Sequence, residues 1–126
     1  MRENYYKLKI INQLKKINKS IRYYPVDIGA SLYGKKEFDG ILIRDCICFA
    51  IEFKKDYYKV ENHQLLSMND FPGMAFIIRV NTKKKTISCN TPDEKKTHFF
   101  TKIKYNDFAK RFDGLLNIYH THSKGW

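Results

Sequence analysis

The sequence predicts an α/β domain in which a small mixed sheet of about five strands is flanked by helices. Three observations predict it. Apolar residues recur at helical spacing in one stretch near the start of the chain and in another near its end. Between them lie short apolar runs rich in β-branched and aromatic residues, too short for buried helices. A short amphipathic stretch interrupts those runs, so strands and helices alternate along the chain. With 126 residues, 43% hydrophobic and 15% aromatic, the chain is expected to fold as one domain with a real core.

Taken in order, Tyr6, Ile10, Leu14, Ile17 and Ile21 form an apolar stripe, and lysines at 7, 9, 15, 16 and 19 occupy the other faces. This predicts a helix over about 3–18 that packs on the sheet. A short strand follows, either 21–24 or 26–28. Gly29 and Gly34 mark the next segment as a loop leading into Asp39. Ile41-Leu42-Ile43 and Ile47-Cys48-Phe49-Ala50-Ile51 predict two antiparallel strands with Arg44-Asp45 at the turn, the second strand central and covered on both faces. Residues 60–70 predict a helix with Val60, Leu65 and Met68 on its apolar side, stopped by Pro72-Gly73. Residues 74–80 predict a buried strand and 86–89 an edge-like one, and His98-Phe99-Phe100 a short extended piece. A last helix is expected from a cap at Asn106-Asp107, with Phe108, Phe112, Leu115 and Tyr119 on one face and a loose tail from His120.

Chemistry gathers where the central strand ends in Glu52-Phe53-Lys54. Alternation along a strand places Glu52 and Lys54 on one face and Phe53 on the other. A carboxylate and an ammonium at the end of an apolar strand are costly to bury without partners. Asp39 falls on the neighbouring strand, about 4.8 Å away, so the two carboxylates are close enough to share one Mg²⁺.

Asp39, a gap of about a dozen residues and then Glu52-x-Lys54 resemble the active-site signature of the PD-(D/E)xK nucleases. Gln64, on the following helix, resembles the additional glutamine of several branches, among them the VRR-NUC-type and Holliday-junction-resolvase-like nucleases. Glu3 resembles the N-terminal glutamate that some members carry, and reads equally as a first-turn acid favoured by the helix dipole. Phe38 departs from the pattern, because the family usually has proline there. The resemblance covers roughly residues 1–80 and implies a restriction-endonuclease-like core. It implies a Mg²⁺-dependent endodeoxyribonuclease in which Asp39, Glu52 and the Phe53 backbone carbonyl hold Mg²⁺, with Mn²⁺ as a substitute. Lys54 would orient or deprotonate the attacking water, and Gln64 would position the site by hydrogen bonding.

A net charge of +11 fits a polyanionic partner, here DNA; its bland alternative is a solvated lysine-rich surface. Ser31, Tyr33, Lys35, Lys36 and Lys55 are candidates for phosphate contacts. No apolar stretch is long enough to cross a membrane and no signal-peptide core is visible, so the expected location is cytoplasmic. Cys46, Cys48 and Cys89 read as buried reduced thiols and not as a disulfide framework or a zinc site. A homodimer is expected from the resolvase-like relatives, since cutting two strands asks for two sites. Two rival classes remain: a non-catalytic nucleic-acid-binding protein on the same fold, and an unrelated basic α/β interaction protein with a surface Glu52–Lys54 salt bridge.

Overall fold

Alternating side chains decide how the sheet is covered. In the 47–55 strand, Phe49, Ile51 and Phe53 belong to one core, whereas Ala50 belongs to a second core on the opposite face. The structure, a computed structural model, describes residues 3–26, 38–92 and 98–124. Its elements are α1 (Glu3–Ile17), β1 (Arg22–Pro25), β2 (Gly40–Arg44), β3 (Ile47–Lys55), α2 (Asn62–Asp70), β4 (Ala75–Asn81), β5 (Thr86–Asn90), β6 (His98–Lys104) and α3 (Tyr105–Lys124). The six strands form one sheet in sequence order. β3 and β4 are parallel and every other neighbouring pair is antiparallel. The parallel pair follows from its connection, because α2 lies between the two strands and returns the chain to the same end of the sheet.

The larger core fills the face carrying α1 and α3. Ile10 and Leu14 from α1 meet Phe49, Ile51, Phe76 and Ile78 from the sheet and Phe108, Phe112 and Leu116 from α3. Phe76 and Phe112 meet edge to face at 5.3 Å between ring centroids, and full burial of such a ring stabilises by about 1.5–3 kcal/mol. The opposite face carries α2 and a smaller core of Phe38, Ala50, Met68, Ala75 and Ile77.

Several expectations change. The sheet has six strands because His98–Lys104 is a full strand, which makes β5 an interior strand and leaves β1 and β6 at the edges. The β2–β3 turn is Asp45-Cys46, one residue later than expected, with both residues at positive φ (49° and 71°), the backbone of a primed hairpin turn. Arg44 therefore stays in β2, where its Nε donates to Asp113 Oδ1 at 2.8 Å and ties the hairpin to α3. Cys46 lies in that turn and Cys48 on the sheet face beyond the reach of α2's core, so both are exposed and only Cys89 is buried. Ile17 is exposed and Ile11 takes its place in the stripe of α1. α3 starts directly at Tyr105, without a cap at Asn106-Asp107, and runs to Lys124 where a loose tail was expected; the first helix breaker after it is Gly125.

Candidate active site

The site forms where β2 and β3 part. Their ladder ends at the Gly40–Ile51 pair, and Asp39 stands one residue before it. The Phe53 N–H points to the β2 side, past the last β2 residue that can receive it. Asp39 Oδ2 accepts this hydrogen bond at 2.7 Å, so a side chain takes the place of a ladder carbonyl. Backbone N–H and C=O of one strand residue point to the same side, so the Phe53 carbonyl is directed into the same gap. The Asp39 backbone oxygen accepts from Val26 N at 2.9 Å, which fixes its position against the end of β1.

Glu52 lies on the α2 face and is only 2% exposed. Its Oε2 pairs with Lys54 Nζ at 3.2 Å, while its Oε1 is buried with no hydrogen-bond donor among the described residues. Burial pushes the Glu52 carboxyl up to about 7, the negative charge of Asp39 adds to that, and Lys54 opposes it. A buried carboxylate with one oxygen unsatisfied has an open acceptor position. A proton or a cation fills it.

Two further residues complete the cluster. Lys7 Nζ pairs with Asp39 Oδ1 at 3.1 Å and lies 5.8 Å from the centroid of the Phe53 ring. Tyr23 packs its ring edge-on to Phe53, and its buried hydroxyl has no partner among the described residues. Burial raises the Tyr23 phenol well above its ordinary value, with Asp39 and Glu52 raising it further. A Cβ at position 40 would run into the Tyr23 ring and hydroxyl, so the glycine after Asp39 is what lets this tyrosine lie at the site.

The fold thus brings together Asp39, Glu52, Lys54 and the Phe53 backbone. The Glu52–Lys54 pair exists, but buried, which removes the reading as a surface salt bridge. Gln64 is buried on α2, and its Oε1 accepts from Glu61 N at 3.1 Å, so this oxygen caps the start of its own helix. Lys55 ends β3 on the opposite face from Lys54. Ser31, Tyr33, Lys35 and Lys36 lie outside the described residues, as does the side chain of Glu3, the first residue of α1. Sequence reasoning missed Lys7, which it assigned to the solvent face. The signal was available, since Lys7 lies on the line of Ile10 and Leu14 along the helix.

This six-stranded mixed sheet with helices on both faces is a restriction-endonuclease-like fold of the resolvase type. It is similar to the structure of Hjc, a Holliday junction resolvase from the archaeal hyperthermophile Archaeoglobus fulgidus, with a TM-score of 0.52 and 13% sequence identity over 84% of this chain and 98% of that one. At that identity the likeness establishes the fold alone. No family model and no curated protein matches the chain.

Proposed function

We propose that the protein is a metal-dependent endonuclease that hydrolyses phosphodiester bonds in DNA, with a preference for branched substrates. The observation that carries this reading is the buried Glu52 with an orphaned oxygen, beside Asp39 and paired with Lys54, at the parting of β2 and β3. The donors suit a hard divalent cation such as Mg²⁺ or Mn²⁺, which favours carboxylate and carbonyl oxygens. Asp39, Glu52 and the Phe53 backbone carbonyl would hold it. When bound, the ion supplies positive charge to the scissile phosphate and acidity to the attacking water.

The chain's own groups do the rest. Phe53 N holds Asp39 in one orientation. Lys54, anchored to Glu52, places an ammonium where it can orient the nucleophile by hydrogen bonding. The same charge stabilises the more negative transition state. The phenol of Tyr23 and the ring of Phe53 wall the site on the side away from α2. The surplus of positive charge on the chain favours approach of a polyanion. The fold shared with a Holliday junction resolvase supports junction-like DNA as the substrate and a homodimer as the working unit, since two strands need two sites.

The test is a panel of labelled duplex, forked, four-way-junction and single-stranded DNA, incubated with Mg²⁺, Mn²⁺ or EDTA. The reading expects cleavage that needs the metal and is fastest on branched DNA. Equal rates on all forms would remove the structural preference, and cleavage that survives EDTA would remove the metal.

A further inference from the structure

Lys7 and Lys54 each face one carboxylate of the cluster, Asp39 at 3.1 Å and Glu52 at 3.2 Å. Two carboxylates and two ammoniums balance without any added ion. A divalent cation held by Asp39 and Glu52 adds two positive charges to a group that is already neutral, in a place where water screens poorly. One ammonium has to move away.

The two lysines are not equally free to do so. Lys54 stands on the same strand as Glu52, two residues on, so the backbone of β3 holds its stem beside its partner. Lys7 comes from α1, a separate element, and reaches Asp39 across the gap on a flexible four-carbon stem. Asp39 does not follow it, because its other oxygen is fixed by Phe53 N. The Phe53 ring also gives the displaced ammonium an uncharged resting place, since its Nζ is already within cation–π range of that ring at 5.8 Å. With 15% of the side chain exposed, a path to water is open.

We infer that Lys7 is a built-in counter-ion of Asp39 which a divalent cation must displace, so that an internal lysine sets the metal affinity of the free protein. The inference rests on Asp39 and Glu52 being the cation ligands, and the experiment separates the two claims. Mn²⁺ binding is measured without DNA, by electron paramagnetic resonance of free Mn²⁺, for the wild type, Lys7→Met, Lys7→Gln, Lys9→Met and Glu52→Gln, each checked for folding by circular dichroism. Lys9 is exposed on the same helix, so Lys9→Met removes the same formal charge without touching the site.

Both Lys7 variants are expected to bind Mn²⁺ about tenfold tighter than the wild type, the size of effect that removal of one close like charge produces. Lys9→Met is expected to match the wild type, and Glu52→Gln to lose the site. Unchanged or weaker binding in the folded Lys7 variants, with Glu52→Gln still losing the site, overturns the role of Lys7 alone. A gain in Lys9→Met equal to that in the Lys7 variants overturns it as well, because the effect would then be one of net charge. Wild-type binding in Glu52→Gln overturns the assignment of the ligands and, with it, the inference.

Discussion

The two faces of the sheet solve different problems. Under α1 and α3, Phe49, Phe76, Phe108, Phe112 and Leu116 close a continuous apolar core, and the buried Arg44 is paired with Asp113 of α3. Under α2 the buried core among the described residues is smaller, Phe38, Ala50, Met68, Ala75 and Ile77, and the same face holds Glu52 and Lys54, with Gln64 buried above it on α2. A chain selected only for stability would extend Ala50 and Ile77 with more apolar side chains. Instead β3 alternates Phe49, Ile51 and Phe53 on one face with Ala50, Glu52 and Lys54 on the other. The closed face supplies the folding energy that holds a carboxylate with an orphaned oxygen on the other.

Four predictions sharpen that contrast. The largest effect is expected on chemistry. Asp39→Ala, Glu52→Ala and Lys54→Ala should each lower cleavage by on the order of a thousandfold or more, because their charges serve the reaction and not the packing. Rates on a four-way junction, with circular dichroism as the folding control, check this, and any one variant cutting at the wild-type rate would remove that residue from the site. On the closed face the effect moves to stability. Phe112→Ala should cost about 3–5 kcal/mol in denaturant unfolding, through loss of burial and the cavity left beside Phe76.

The third prediction brings the faces together. In the metal-free protein the Glu52 carboxyl, raised to about 7, lies above its unfolded value. Its contribution to stability is then fully present below the unfolded pKa and is lost as pH rises through about 7. Glu52→Gln should therefore melt higher than the wild type at pH 8, by up to about 3 kcal/mol, and the two should converge near pH 4. Thermal melts in EDTA across that range decide it; equal melting at pH 8 would mean that the carboxylate is satisfied without a cation. The smallest effect is expected at Gln64, where Gln64→Ala should cost about 1 kcal/mol by uncapping α2. A loss of cleavage beyond what the lower melting temperature explains would add a role at the site.

Much of the contrast was legible in the sequence. β3 announced itself by an apolar run ending in charges, and the alternation rule alone put Glu52 and Lys54 opposite Phe53. The aromatic face of α3 was equally plain, because Phe108, Phe112, Leu115 and Tyr119 follow helical spacing. What stayed hidden depended on partners distant in sequence. Lys7 looked like one more surface lysine until Asp39, 32 residues on, was seen beside it. The strand at 98–104 was under-read because lysines interrupt its apolar residues, and only pairing with β5 shows its length. The hairpin was set one residue early because Arg44 looks like a turn residue, whereas Asp113 on α3 holds it in the strand. Gln64, read as a site group, also caps its own helix through Oε1, a local use that the Glu61-x-x-Gln64 spacing encodes.

The central claim is that the carboxylate pair on the α2 side is a cation site and not an irregular piece of core. Anomalous diffraction from crystals soaked in Mn²⁺ tests it most directly. The account predicts a single strong peak between Asp39 and Glu52, within bonding distance of the Phe53 carbonyl. It would be contradicted by crystals in which Asp39 keeps its Lys7 partner, with Mn²⁺ bound elsewhere or not at all.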